Sequence, residues 1–151
     1  MPDLGLGRDP ERTPMQWTAG RNAGFTAGTP WLPLSVDAGR TNVERERDDP
    51  ASMLTLYRRL LALRRAEPAL AVGSFAPVPG PDEWIAYLRQ WGDRRFLVAL
   101  NFGHRPGLLS LEHLRSGGRV ALATEPGREG ERVEEQLVLT GDDGMVVELE
   151  G

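Results

Sequence analysis

No cysteine occurs anywhere in the 151 residues, and no lysine. Without cysteine there is no disulfide and no thiolate metal site, a composition compatible with the cytoplasm. All 18 basic residues are therefore arginine. That bias reads as the base composition of the source genome. A nucleic-acid domain shows a clustered excess of positive charge, whereas here 22 acids outnumber the bases and leave a net charge of −4. The mild negative charge favours solubility. Long apolar runs are missing too. The longest, Phe96 to Leu100, falls far short of the roughly 20 residues a membrane-spanning helix needs. The first residues, Met1 to Arg8, lack a charged region followed by an apolar one and do not read as a secretory signal. Only two histidines are present, His104 and His113, with no second ligand at metal spacing. These absences together point to a cytoplasmic protein with no metal, cofactor, nucleic-acid or membrane partner.

What is present divides into three stretches. Residues 1 to 50 have no helical or strand period, and glycine, proline, threonine, aspartate and asparagine recur throughout. A structureless stretch of this length is either disordered or a functional loop with its own packing. Met15, Trp17, Phe25, Trp31 and Leu32 supply more apolar weight than pure disorder would carry. The plain alternative is an extended arm on a small domain. Within this stretch, Arg8-Asp9-Pro10-Glu11-Arg12-Thr13-Pro14-Met15-Gln16-Trp17 stands out. Two prolines remove two backbone donors and fix two φ angles, and the residue before each is pushed toward extended geometry. A stiff loop with two arginines, two acids and an indole is the kind of segment that carries function. The mixed charges at 44 to 49 read as a solvated surface or a first helical turn.

Residues 50 to 66 have a helical period. Asp49 suits an N-cap and Pro50 the first helical position. Leu54, Tyr57 and Leu61 fall on one row, with Met53, Leu56, Leu60 and Leu63 on the adjacent ones. The wide apolar stripe needs a large partner surface. Pro68 stops the helix. From residue 72 short apolar runs alternate with breakers. Strands are expected near 73–78, 84–90, 95–102, 108–111, 119–123, 135–139 and 145–149, with Gly92-Asp93 closing a hairpin. Leu137, Leu139, Met145, Val147 and Leu149 alternate as one buried face would. The expected fold is mainly β: a long irregular N-terminal loop, one amphipathic helix, then an antiparallel β-sandwich.

The stretch from Arg8 to Trp17 resembles the R-D-x-x-R-T-P-M-Q-W signature of the α-glucosidase branch of the α-amylase superfamily (glycoside hydrolase family 13), which includes oligo-1,6-glucosidases and trehalose synthases. The resemblance continues through Asn22-Ala23-Gly24-Phe25-Thr26, Pro30-Trp31-Leu32-Pro33, Asn42-Val43, Ser52 to Arg65, and Pro68-Ala69-Leu70. It implies that residues 1–50 are the loop after the last strand of a (β/α)8 barrel, residues 51–67 the last barrel helix, and residues 68–151 a C-terminal all-β domain. The barrel itself would be supplied in cis or in trans, and the apolar helix stripe would pack on it.

The chemistry implied by the resemblance is retaining hydrolysis of α-glucosidic bonds in short gluco-oligosaccharides. Such hydrolysis takes two carboxyl groups about 5–5.5 Å apart. In that family the nucleophile, the acid/base and a third acid sit on barrel strands, and no matching motif occurs in this sequence. The catalytic set is therefore none, and the chain alone is expected to be inactive. One residue carries over as substrate-binding, Arg12, which matches the family arginine that pairs with a barrel aspartate and grips the non-reducing glucose. An arginine fork can hold a carboxylate and share donors with a hydroxyl. The alternative is that Arg12 is a loop-stapling ion pair. Arg8, Asp9 and Gln16 read as structural. Trp17, Phe25 and Trp31 read as loop anchors, and Trp84 and Trp91 as core. Two other functions stay open: a non-catalytic α-glucan-binding β-sandwich using Trp84 or Trp91, and a subunit whose helix stripe docks on a partner.

Overall fold

A computed structural model describes residues 12–114 and 116–150. These residues fall into two compact units, one ending at Thr55 and the other starting at Leu56.

The first unit is held mainly by hydrogen bonds between loop segments. Its regular element is α1, Val43–Arg47. Asn42 caps α1: its side chain accepts the Arg45 N–H at 3.1 Å and donates to the Ala38 carbonyl at 2.9 Å, and the residue is buried. Glu44 and Glu46 in the first turn suit the positive end of the helix. Residues 44–47, part of the mixed charge run, thus form most of a short helix. Leu32, Ala23 and Pro14 are the buried apolar residues of this stretch.

The principal helix, α2, spans Met53–Ala66. It starts three residues later than Pro50, the expected first helical position. Asp49 accepts the Ala51 N–H within the preceding turn, while the Ser52 hydroxyl accepts the Thr55 N–H at 3.1 Å and takes the capping role. The helix ends before Pro68, as expected, but Pro68 also opens a third helix, α3, Pro68–Val72. A proline at the first position of a helix loses no needed donor. Beside the amphipathic helix read from the sequence, the described residues thus hold two further α-helices of five residues each.

The second unit is an antiparallel sandwich. Its strands are β1 Ser74–Pro77, β2 Trp84–Trp91, β3 Arg94–Asn101, β4 Gly107–Ser110, β5 Gly118–Ala123, β6 Arg132–Val133, β7 Gln136–Leu139 and β8 Asp143–Leu149. One sheet has the order β1-β2-β3-β8-β5-β6, and β4 and β7 form the other. Seven strands match the expected positions; the two-residue β6 is too short to leave a period. Trp91 pairs with Arg94 across Gly92-Asp93, and the positive φ of 57° at Gly92 suits that two-residue turn.

Alternation along the central strands sorts their side chains into two cores. Leu97 and Ala99 of β3, with Met145, Val147 and Leu149 of β8, face Leu109 of β4 and Leu137 and Leu139 of β7. Phe96 and Val98 of β3, Val146 of β8 and Leu122 of β5 face the opposite way, onto Ala69 and Leu70 of α3 and onto Leu56 and Leu63 of α2. Each valine, leucine, methionine or phenylalanine among them contributes roughly 1.5–3 kcal/mol when fully buried. An extra residue on β5, between Val120 and Leu122, shifts its register against β8.

The helix side is not fully covered. Tyr57, Leu60 and Leu61 of α2 remain exposed. An open, largely apolar groove of about 530 Å³ lies between α2 and the sheet. At one end of the sandwich the buried polar residues are all partnered. Asn101 donates to the carbonyls of Arg105 and Thr140 and accepts the Gly103 N–H. Asp143 accepts from the Thr124 hydroxyl and from the N–H groups of Thr140 and Gly144.

Candidate functional site

The loop carrying Arg12 is built by bonds among the same blocks that carry the family resemblance. Gln16 donates from Nε2 to Asp37 Oδ1 at 2.9 Å, and its carbonyl accepts the Val43 N–H at 2.9 Å. The Trp17 carbonyl accepts the Glu44 N–H at 3.0 Å. The Trp17 and Thr18 N–H groups both donate to the Ala23 carbonyl, at 2.9 and 3.1 Å. Three blocks separated in sequence, 12–17, 22–26 and 42–43, are thus stapled into one piece.

The middle block is strained. Asn22, Ala23 and Gly24 have φ of 52°, 53° and 69°, three consecutive residues in the left-handed region. A non-glycine residue there costs on the order of 1–3 kcal/mol and persists only when its surroundings over-determine it. Here they do. Asn22 Nδ2 donates to the carbonyls of Thr26 and Gly28, the Asn22 carbonyl accepts the Phe25 N–H, and Ala23 is buried with its carbonyl doubly engaged. A side chain at Gly24 would collide with Thr18.

Asp37 is the main acid holding this loop. It accepts from Ser35 Oγ and from Gln16 Nε2. Those two hydrogen bonds, Ser35 first, hold its carboxyl below the usual carboxylate range. Asp37, Asn42 and the left-handed turn were missed in reading the sequence. Asn42 was legible as a helix-capping type preceding two glutamates, and Asn22-Ala23-Gly24 as types tolerant of positive φ at two of three positions. Asp37 left no signal, since its partner Gln16 lies 21 residues away.

Arg12 is exposed. Gln16 is structural, as read from the sequence. Arg8, Asp9 and Glu11 lie outside the described residues. Of the aromatics, Trp17, Phe25 and Trp31 are exposed, Trp31 to 83%, so within their own unit none is a buried anchor. Trp84 packs on the main core, its ring 3.0 Å from where a side chain at Gly107 would begin. Trp91 does not: it ends β2 and is 55% exposed, which corrects its assignment to the core. His104 is exposed and pairs with Asp142 at 2.9 Å, which raises its pKa above the ordinary value for histidine. Among the described residues no group of three or more potential ligands could hold a metal, and no helix is long and apolar enough to cross a membrane.

The described residues thus run from a stapled proline-rich loop through an amphipathic helix to an antiparallel sandwich, the order of elements that the family resemblance implies. Comparison with known proteins agrees. The family model for the α-amylase catalytic domain matches residues 2–73. The glucan 1,6-alpha-glucosidase of Streptococcus pneumoniae is 35% identical over 144 residues, 95% of this chain and 26% of that protein. The amino acid transporter heavy chain SLC3A1 of Rattus norvegicus is 34% identical over 145 residues, 91% of this chain and 21% of that protein. The crystal structure of an isomaltulose synthase from Klebsiella sp. LX3 superposes with a TM-score of 0.86 at 31% identity, over 95% of this chain and 26% of that one. Residues 2–73 thus belong to the α-amylase family. The chain spans about a quarter of the length of the relatives it matches.

Proposed function

We propose that this chain is the C-terminal part of an α-glucosidase-type enzyme that hydrolyses α-glucosidic bonds of short gluco-oligosaccharides with retention. Residues 1–50 are its active-face loop, 51–67 its last barrel helix and 68–151 its C-terminal β-domain. The observation that carries this reading is the stapled loop: the blocks that bond to each other, 12–17, 22–26 and 42–43, are those with which the family resemblance is written. A rigid loop of that kind suits a residue that must meet a sugar within a fraction of an ångström. Arg12 is the substrate-binding residue, its fork shared between a barrel carboxylate and a glucose hydroxyl. The nucleophile and the acid/base belong to the barrel. The cysteine-free composition goes with a cytoplasmic setting.

Purified residues 1–151 are expected to release no glucose from maltose, isomaltose or an aryl α-glucoside, and release above the buffer blank overturns the reading. In the enzyme completed by its barrel, Arg12→Ala lowers kcat/KM about a hundredfold, and unchanged kinetics removes Arg12 from the site.

A second reading is favoured by the similarity to a protein named as a transporter heavy chain, which extends over 91% of this chain. In that reading the chain serves as a docking subunit, and co-purification with a companion that lacks the glycosidase carboxylates identifies it. An α-glucan-binding module resting on the exposed Trp91 is tested by affinity electrophoresis in starch, with Trp91→Ala as control.

A further inference from the structure

We propose that Asp37 is a positioning residue for the substrate grip: by holding Gln16, it fixes where Arg12 stands in the sugar pocket of the completed enzyme. The inference deepens the reading above and rests on it, because it concerns the setting of the residue which that reading gives to the glucose.

Arg12 is separated from Gln16 by Thr13, Pro14 and Met15. Pro14 fixes its own φ, pushes Thr13 toward extended geometry and is buried. A stretch of that stiffness passes a displacement at Gln16 on to Arg12. Gln16 is held twice. Its carbonyl accepts the Val43 N–H at 2.9 Å, and its Nε2 donates to Asp37 Oδ1 at 2.9 Å. A single hydrogen bond leaves a residue free to turn about it, whereas a main-chain and a side-chain bond together fix its orientation. Both holds come from one piece of chain. The Asp37 carbonyl accepts the N–H groups of Arg40 and Thr41, at 2.7 and 2.9 Å, and the turn so closed leads through the capping Asn42 into α1. Val43 and Glu44, which donate to the Gln16 and Trp17 carbonyls, carry the first N–H groups of α1, which find no partner inside a helix.

The side chain of Asp37 works on the loop and on little else. Its Oδ1 accepts from Gln16 Nε2 and also from Ser35 Oγ, and the serine aims that oxygen at the glutamine. An ionised acceptor makes such bonds shorter and stronger than a neutral one. Asp37 is exposed and belongs to neither apolar core, so its side chain contributes little to keeping the unit folded. Asn42, by contrast, is buried and caps α1, so its loss loosens the loop as a whole. An exposed acid engaged by two side-chain donors, one of them on the stiff segment of the substrate arginine, is the arrangement of a support that acts on geometry. Grip on a sugar is sensitive to such support: a misplacement of about 1 Å can cost about a hundredfold in rate.

The test is a double-mutant cycle in the enzyme completed by its barrel, read as kcat and KM on maltose and an aryl α-glucoside. Asp37→Ala is expected to lower kcat/KM about fivefold to tenfold, the share of one hydrogen bond, and to act on the same one of kcat and KM as Arg12→Ala. In the Arg12→Ala background, which has itself lost about a hundredfold, Asp37→Ala is expected to cost nothing more, because the residue it positions is gone. Asp37→Asn keeps an oxygen that accepts both donors and is expected to restore most of the loss. The cycle is run in parallel with Gln16→Glu, which sets a second carboxylate against Asp37 and is expected to match Asp37→Ala, so that the test stands even where Asp37→Ala does not fold. Losses that multiply in the double variants, a loss that Asp37→Asn does not relieve, or unchanged kinetics in Asp37→Ala beside an impaired Arg12→Ala enzyme overturns the inference and leaves the proposed function standing. Unchanged kinetics in Arg12→Ala removes the substrate role of Arg12, and the inference with it.

Discussion

The loop unit and the sandwich unit are stabilised by different physics. In the sandwich, Phe96, Leu97, Ala99, Leu139 and Val147 are completely buried, and the strand ladder satisfies the backbone automatically. In the loop unit few apolar residues are buried, and the backbone is held bond by bond through Gln16, Asn22, Asp37 and Asn42. Apolar burial is non-directional and tolerates small shifts. A hydrogen-bonded loop is directional: one lost partner releases a segment while leaving the rest of the molecule alone.

The difference is broken most severely from the sandwich side. Phe96 is fully buried between β3 and the helices. Phe96→Ala costs about 3–5 kcal/mol, a large share of the roughly 5–15 kcal/mol that a domain of this size has. Urea unfolding followed by circular dichroism should show the midpoint collapse. A loss below about 1 kcal/mol would mean that the helix-side core is loosely packed.

Asn42→Ala tests the loop side. It removes both the cap of α1 and the bond to the Ala38 carbonyl, at a cost of about 1–2 kcal/mol. Hydrogen exchange should accelerate at Arg45 and the neighbouring loop amides and stay unchanged in β3 and β8. Uniform acceleration across both units would show that they unfold as one and would end the distinction drawn between them.

Ala23→Gly has the opposite sign. Ala23 sits at φ 53°, where a side chain costs about 1–2 kcal/mol that glycine does not pay. Part of the gain is offset by the greater freedom of glycine in the unfolded chain. A net stabilisation of under about 1 kcal/mol in loop-unit exchange is expected, and destabilisation would show that Ala23 is held by packing and not against strain.

How far the sequence could be read follows the same division. Seven strands, the Gly92-Asp93 hairpin and the shared face of Leu137, Leu139, Met145, Val147 and Leu149 were legible, because periodicity records burial and the sandwich is built by burial. The helix pattern located α2, but a wide stripe cannot say which part of its arc faces what. Leu56 and Leu63 meet the sheet, while Tyr57 and Leu61 do not. The loop left no period at all. Its contacts join residues far apart in sequence, Gln16 with Asp37 across 21 positions and Trp17 with Glu44 across 27. Only the family resemblance pointed to Arg12, and nothing in the spacing of the residues pointed to Asp37.

The smallest effects come from protonation, one in each unit, with opposite signs. Asp37 has its pKa lowered by Ser35 and Gln16. Its contribution is present above the unfolded carboxylate value near 3.9 and disappears as pH falls through the lower folded value. His104 has its pKa raised, first by the hydrogen bond to Asp142 and then by charge attraction from Asp142 and Glu83. Its contribution is full below the unfolded histidine value near 6.5 and is lost as pH rises through the higher folded one. Both groups are exposed, so neither effect should shift global unfolding measurably. Nuclear magnetic resonance resolves them singly. The His104 ring proton should titrate above the ordinary histidine midpoint, and Asp142→Asn should bring it back down toward that value. Ser35→Ala should raise the Asp37 midpoint and leave His104 unmoved. A His104 midpoint unaffected by Asp142→Asn would show that the 2.9 Å pair does not persist in solution, which would leave that end of the sandwich to its buried bonds through Asn101 and Asp143.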